Sequence, residues 1–123
     1  MDVTPLVAKD RQIIESYGAS GFRVSGNTYD GAILVLPQMT RSLPITTLAD
    51  VSAAALEPVI AAGLRILLLG CGRQMLPVPP SLRQELRVHG VVIDAMDTGA
   101  ACRTYNVLLA EDRLVAAALL PAR

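Results

Sequence analysis

Residues 91–121 read VVIDAMDTGAACRTYNVLLAEDRLVAAALLP, and this stretch decides the fold. It begins with an apolar run, continues with a segment whose apolar residues recur every three or four positions, and ends with a second apolar run. An apolar run predicts a strand buried on both faces, and the middle pattern predicts a helix with one buried side. A strand, a helix and a strand in this order indicate an α/β protein.

Two further apolar runs precede this stretch, at residues 32–37 and 64–70, and a helical pattern separates each run from the next. The first pattern lies between Ser52 and Gly63. It contains Pro58, which should bend the helix or remove one of its hydrogen bonds. The second pattern follows two prolines and ends just before the third run. This alternation predicts right-handed crossovers and a largely parallel sheet.

The two ends of the chain add antiparallel pieces to this sheet. The last run follows the third helix after a turn at residues 111–112, a connection too short for another crossover, so we expect the last strand to run antiparallel to its neighbours. Near the amino terminus, Phe22 and Val24 alternate with polar residues, and Gly26 and Asn27 fit a two-residue hairpin turn. The sequence therefore predicts a small three-layer α/β domain. Its central sheet is mixed, with mainly parallel core strands, an antiparallel last strand and an N-terminal β-hairpin region.

The composition predicts one compact domain. The 123 residues suffice for one core, and a content of 52% hydrophobic and 18% charged residues excludes a disordered chain. We expect residues 1–123 to form a single domain, with residues 1–10 as a loose N-terminal tail. Eleven basic and eleven acidic residues cancel, so no broad positive field exists to hold a nucleic acid.

The sequence gives no sign of a membrane span, a metal or a cofactor. No apolar run approaches the roughly 20 residues that cross a bilayer, and the amino terminus lacks the pattern of a signal peptide. We therefore expect a cytoplasmic protein. The two cysteines, Cys71 and Cys102, are too few for a disulfide framework, and with His89 they show no zinc-ligand spacing.

Two polar corners follow neighbouring strands of the predicted sheet. Gly70, Cys71 and Gly72 end the second apolar run, and Asp97 and Thr98 follow the third. Because the carboxyl ends of parallel strands meet at one edge of a sheet, these corners should lie together beside the start of the third helix. This edge is the best candidate for a ligand site.

The chemistry of this edge has several interpretations. A dinucleotide fingerprint needs a third glycine where this chain has Met75, which disfavours phosphate binding. Cys71 could be a nucleophile, because a helix start can lower the pKa of a thiol. However, His89 should lie near the opposite edge and could not act as its base. The interpretation of Cys71 as a small residue that fits a tight turn is therefore favoured. Asp97 could act as an acid, or it could accept hydrogen bonds from the helix start. No nucleophile with two acid–base partners in reach can be assembled from these residues.

The third helix should have a buried side and an exposed side. Cys102 and Tyr105 recur with apolar residues at helical spacing, which predicts a buried stripe with the Tyr105 hydroxyl at its rim. Thr98 is the predicted N-cap. Arg103 and Asn106 lie three residues apart on the face opposite Tyr105, so they should point to solvent or to a partner protein.

Three ordered motifs, YGASGFRVSGNTYDGAILVLP, ILLLGCG and DTGAACRTYNVLLAEDRLVAAALLP, resemble a small-domain family of unknown function that includes mitochondrial respiratory complex I assembly factor 3. The resemblance covers residues 17–121 and implies a three-layer α/β domain with a mixed central sheet. The glycine corner and the Asp-Thr corner of the family fall on the two corners described above. Other members carry a small residue such as threonine in place of Cys71, which argues against a shared thiol mechanism.

The resemblance also implies that mitochondrial relatives help to build complex I as binding proteins without a known reaction. We therefore expect a non-enzymatic protein-binding or assembly module, with subunits of a respiratory complex as candidate partners. The alternative is a small-molecule-binding domain or an enzyme that uses the edge where the two corners meet. The candidate site, for a ligand or a partner, comprises Gly70, Cys71, Gly72, Asp97, Thr98, Arg103 and Asn106. The oligomeric state stays open.

Overall fold

A computed structural model describes residues 11–123, so the tail predicted at residues 1–10 lies outside the described residues. Eight strands and three α-helices follow one another in these residues. Their order is β1 (Ile14–Tyr17), β2 (Gly21–Val24), β3 (Asn27–Asp30), β4 (Ile33–Leu36), β5 (Met39–Ser42), a short 3₁₀ helix (Leu48–Asp50), α1 (Glu57–Ala61), β6 (Ile66–Gly70), α2 (Pro80–Val88), β7 (Val92–Met96), α3 (Thr98–Ala110) and β8 (Ala116–Leu119).

The large sheet has five strands in the order β5-β4-β8-β6-β7. Strands β6, β7 and β8 run parallel, and β4 is antiparallel to both β5 and β8. This is the predicted mixed sheet with a parallel core. The last strand is antiparallel only to β4, and its predicted direction relative to β6 is wrong because α3 is itself the crossover from β7 to β8. The short turn after α3 therefore needs no second crossing of the sheet.

The segment between the first two apolar runs differs most from the prediction. The chain turns back after β4 to form β5, a strand that the sequence analysis missed, so β4 is not part of the parallel series. The helix predicted between Ser52 and Gly63 is reduced to the five residues of α1. Pro58 lies in the first turn of α1, where its missing N–H does no harm, and Gly63 follows the helix with a φ of +70°.

The N-terminal hairpin region is a separate antiparallel sheet in the order β1-β2-β3. Its tight turn consists of Ser25 and Gly26, whose φ values are +44° and +85°. The turn lies one residue earlier than predicted, because Asn27 pairs with Val24 as the first residue of β3. Two successive residues with positive φ are characteristic of a type I′ hairpin turn.

The large sheet is covered on both faces. Leu82 and Leu86 of α2 pack with α1 against one face. Tyr105 of α3 and Phe22 of β2 pack against the other face, so the small sheet and α3 share that side. This arrangement brings the start of α3 beside the carboxyl ends of β6 and β8.

Helix α3 is the longest helix among the described residues, with 13 residues. At 1.5 Å per residue it is about 20 Å long, whereas the hydrocarbon core of a bilayer is about 30 Å thick. None of the helices within residues 11–123 is long and apolar enough to cross a membrane.

Candidate functional site

The two predicted corners meet at the carboxyl ends of β6 and β7. The backbone N–H of Cys71 donates to the carbonyl of Met96 at 2.9 Å, and the N–H of Thr98 donates to the carbonyl of Gly72 at 2.8 Å. The corners are thus joined to each other by backbone hydrogen bonds, and α3 begins directly beside them.

Thr98 is fully buried and ties three segments together. Its Oγ1 accepts a hydrogen bond from the N–H of Gly72 at 2.8 Å and donates one to the carbonyl of Leu120. Thr98 is therefore the first residue of α3, and the prediction that it is the N-cap is wrong. The N-cap is Asp97, whose Oδ1 accepts from the N–H of Ala100 at 2.9 Å. The prediction missed by one residue because the Thr98 hydroxyl bonds outside its own helix.

The two glycines of the first corner are needed for different reasons, close packing at Gly70 and backbone conformation at Gly72. A Cβ atom on Gly70 would lie 2.9 Å from Cδ2 of Leu119 and 3.1 Å from the Cα atom of Thr98, so a side chain here would push α3 away from the sheet. Gly72 has a φ of +98°, a conformation that side chains other than glycine rarely adopt. The corner contains glycines because the chain turns sharply against α3.

Cys71 is buried in the core on the α1 and α2 face. Its Sγ lies 3.8 Å from the carbonyl oxygens of both Leu69 and Leu76. The thiol also borders an open depression of about 650 Å³. None of the described residues lining that depression is a histidine, aspartate or glutamate, and His89 is exposed at the end of α2. The lining residues are Cys71, Arg73, Gln74, Leu76 and Arg123.

Asn106 is buried, with only 2% of its surface exposed, so the prediction that it points to solvent or to a partner is wrong. Its Nδ2 donates to the carbonyl of Ile14 at 2.8 Å, and its Oδ1 accepts from the N–H of Ile14 at 3.1 Å. The pairing of β1 with β2 is irregular between Ile14 and Ser16. The amide of Asn106 therefore acts as a strand partner for β1, which covers the side of α3 that the sequence analysis assigned to solvent.

Arg103 is exposed on α3 and contacts β1. Its Nη1 lies 3.0 Å from the hydroxyl of Tyr17. Tyr17 itself lies over Gly99, where a Cβ atom would be only 2.6 Å from the tyrosine hydroxyl. The contribution of Tyr17 to this edge was not predicted from the sequence, in which Gly99, beside the Asp-Thr corner, is a signal of close packing.

Cys102 and Tyr105 are completely buried between α3 and the large sheet. Burial raises the pKa of the Cys102 thiol to about 12, and it also raises the pKa of Tyr105 above its ordinary value. The prediction that the Tyr105 hydroxyl reaches the rim is wrong, and within residues 11–123 this hydroxyl has no hydrogen-bond partner. The small sheet covers the rim, because Phe22 of β2 packs in the same cluster.

The structure thus brings the two corners together and separates Asn106 from them. Within the described part of the chain, no group of three or more histidine, cysteine, aspartate or glutamate side chains could hold a metal ion. The charged groups of the edge are the partly exposed Asp97, the exposed Arg103, and the exposed Arg73 and Arg123 beside Cys71.

Comparison with known proteins identifies relatives of this α/β unit. Residues 14–120 match the family described as "Protein of unknown function (DUF498/DUF598)". The chain is 33% identical over 111 residues to NADH dehydrogenase (ubiquinone) 1 alpha subcomplex assembly factor 3 of Danio rerio, an alignment that covers 89% of this chain and 64% of that protein. The chain therefore spans less than two-thirds of the length of this relative.

Two solved structures have the same fold. An outer membrane protein from Bartonella henselae is 36% identical, with a TM-score of 0.83 over 92% of this chain and 97% of that one. A Bordetella pertussis protein described as a Mth938-like domain is 28% identical, with a TM-score of 0.81 over 99% of this chain and 93% of that one. The chain therefore belongs to the DUF498/DUF598 family of proteins of unknown function and has a Mth938-like α/β fold.

Proposed function

We propose that this chain is a protein-binding, assembly-factor-like module that interacts with subunits of a respiratory NADH dehydrogenase and catalyses no reaction. One observation carries the proposal: 89% of the chain aligns, at 33% identity, with a relative named as an assembly factor of this enzyme. The aligned region includes most of the α/β unit, so the shared part is the folded module itself. We also propose that residues 1–123 act as one domain.

The geometry of the corners supports binding over catalysis. The Thr98 hydroxyl accepts one hydrogen bond and donates another to groups within the fold. Leu119 and Thr98 pack closely against Gly70 and leave no room for a ligand there. Asp97 caps a helix with one carboxylate oxygen. Catalysis through a covalent intermediate needs a nucleophile within hydrogen-bond reach of a base and space for a reacting atom about 3 Å from the nucleophile. A binding protein needs none of these groups.

We place the protein in the cytoplasm, with a protein and not a nucleic acid as its partner. Cys71 and Cys102 are both free thiols, and they belong to clusters on opposite faces of the large sheet. Unpaired cysteines are common where the compartment keeps thiols reduced. Equal numbers of basic and acidic residues give no broad positive field for a phosphate backbone. Cell fractionation of the tagged protein tests the location.

A second candidate function rests on the depression beside Cys71. Two arginines, Arg73 and Arg123, border it, so an anionic small molecule is the ligand class that it would accept. A thermal-shift screen of carboxylate and phosphate metabolites tests this alternative, with Arg73→Ala as the comparison variant. A ligand that stabilises the parent protein and not Arg73→Ala would favour a small-molecule function. Equal responses would dismiss it.

The experiment for the assembly function is affinity capture from a native membrane-plus-cytosol extract, quantified by mass spectrometry against the tag alone. We expect subunits of NADH dehydrogenase to be enriched over subunits of other membrane complexes. Recovery of chaperones and abundant housekeeping proteins only would overturn the proposal. A variant of the corner surface should change Arg103 alone, because replacing Asn106 would remove the hydrogen bonds that hold β1.

A further inference from the structure

A groove of about 540 Å³ lies between α1 and the β4–β5 hairpin. It is at the amino-terminal ends of β6 and β8, because Leu64 and Leu114, which precede those strands, both line it. This end of the sheet is opposite to the one where the two corners meet. Leu36, Pro37 and Leu64 are buried and form an apolar floor.

Side chains of β5 form one wall of the groove. Met39 pairs with Leu36, and Arg41 pairs with Leu34. Cross-strand partners in an antiparallel pair point to the same face of a sheet, and Leu34 and Leu36 belong to the cluster on the α1 side. Met39 and Arg41 therefore point to that side as well. Met39 remains 45% exposed, and Leu114, which also lines the groove, remains 50% exposed.

The side chains of β5 are largely uncovered beside the groove. Met39, Arg41 and Ser42, three of its four residues, are exposed. The side of α1 that lines the groove carries the small, exposed residues Ala61 and Ala62, which leave room beside Met39. An apolar groove with exposed large apolar side chains is characteristic of an interaction surface.

Strand β5 is also an edge strand, and it carries the charged residue Arg41. Its only partner among the described strands is β4, so no other described strand pairs with its outer side. Within residues 11–123, ion pairs join Arg11 to Asp112 and Arg23 to Glu15, and neither includes Arg41. Glu57 and Arg11 also line the groove, but within residues 11–123 no ion pair joins Arg41 to Glu57, so the exposed guanidinium of Arg41 has no ion-pair partner among these residues. An edge of this kind accepts an added strand, and the charge favours a carboxylate opposite it.

We propose that this groove is the docking site for an extended segment of a partner protein, which adds to β5 as a sixth strand. The segment places an apolar side chain beside Met39 and, two residues away, an aspartate or glutamate beside Arg41. Main-chain hydrogen bonds to the edge strand hold the segment, and the alternate side chains select it. The inference rests on the proposed protein-binding function and names its surface.

The test uses the complete chain and a displayed library of random ten-residue peptides. We expect selected peptides to share an apolar residue and an acidic residue two positions apart. Arg41→Glu should weaken their binding at least tenfold, measured by fluorescence anisotropy. Replacing the acidic residue of the peptide by lysine should restore binding to Arg41→Glu. The matched control is Arg87→Glu, the same charge change at an exposed position of α2, which should leave binding unchanged.

Three outcomes would overturn the inference. The first is a set of peptides without the alternating pattern, and the second is equal binding to the parent chain, Arg41→Glu and Arg87→Glu. The third is a dimer of the parent chain that Arg41→Glu converts to a monomer in light scattering, since a second copy would then occupy the edge.

The docking surface and the assembly function can fail separately. Equal capture of NADH dehydrogenase subunits by the parent chain and by Arg41→Glu would overturn the docking surface and leave the assembly function standing. Selective peptide binding without capture of these subunits would overturn the assembly function and support the surface.

Discussion

The two ends of the large sheet contrast in how their polar groups are used. At the carboxyl ends of the parallel strands, the hydroxyl of Thr98 forms hydrogen bonds to the backbone of Gly72 and Leu120. Gly70 packs closely against the start of α3. At the amino ends, Met39 and Arg41 line an open groove, and the arginine has no ion-pair partner within residues 11–123. Residues that form a motif in the sequence can be there because they join segments of the fold. An open surface can consist of residues that belong to no motif.

The largest effect that tests this contrast is expected from Thr98→Val. Valine keeps the shape of threonine but leaves the N–H of Gly72 and the carbonyl of Leu120 without a buried partner. We expect the free energy of unfolding to fall by about 3 kcal/mol, because each unpaired buried group costs about 1–3 kcal/mol. Urea denaturation followed by circular dichroism measures the change.

The control for this variant is Thr104→Val, which changes a half-buried threonine of the same helix. We expect a change within about 0.5 kcal/mol. A loss of stability in Thr98→Val no larger than that of Thr104→Val would show that the corner is not a structural joint and would reopen it as a binding site.

A smaller loss is expected from Asn106→Leu. The substitution keeps the branching of the side chain, although leucine is larger than asparagine, and it removes both hydrogen bonds to Ile14, so β1 should detach from α3 before the rest of the protein unfolds. We expect a loss of about 2 kcal/mol. Hydrogen exchange should accelerate at Ile14 more than at β6. Unchanged exchange at Ile14 would refute the role of Asn106 as a strand partner.

Alkaline pH should destabilise the protein through Cys102. Its pKa is raised from 9.0 to about 12 by burial, so the unfolded thiol ionises first and the folded state loses stability as the pH rises above about 9. The loss should be about 1.4 kcal/mol at pH 10. Denaturation at pH 8 and pH 10 measures it. Cys102→Ala should lose less stability between these pH values than the parent protein does, and an equal loss would contradict the assignment.

The smallest effect is expected from Tyr105→Phe, and its sign is opposite. The variant removes a buried hydroxyl that has no partner among the described residues. We expect a gain of about 0.5–1 kcal/mol in the free energy of unfolding, because an unsatisfied buried polar group is unfavourable. Thermal unfolding measures the gain. A loss above about 1 kcal/mol would indicate that the hydroxyl bonds to a group outside residues 11–123 or to an internal water.

Much of the fold could be predicted from the sequence because its signals are local. Continuous apolar runs identified β4, β6 and β7, and the spacing of Cys102 and Tyr105 identified the buried side of α3. The meeting of the two corners followed from the rule that parallel strands end at one edge. An apolar run carries no information about strand direction, so the antiparallel course of β4 and the parallel pairing of β8 with β6 were not predicted.

The surface residues were harder to predict because exposure depends on distant segments. Asn106 is buried by β1, which lies 92 residues away in the sequence. Strand β5, which forms one wall of the groove, was not predicted from the sequence. No short motif marks Met39 or Arg41. Their significance follows from the edge position of β5 and from the exposure of its side chains.

The most direct test of the docking surface compares Arg41→Glu with Arg103→Glu, the same charge change at the two ends of the sheet. Both variants are tagged, their folding is checked by circular dichroism, and the capture of NADH dehydrogenase subunits is quantified for each. We predict that Arg41→Glu loses at least nine-tenths of the captured subunits and that Arg103→Glu retains them. Retention by Arg41→Glu together with loss by Arg103→Glu would contradict this account and place recognition at the corners.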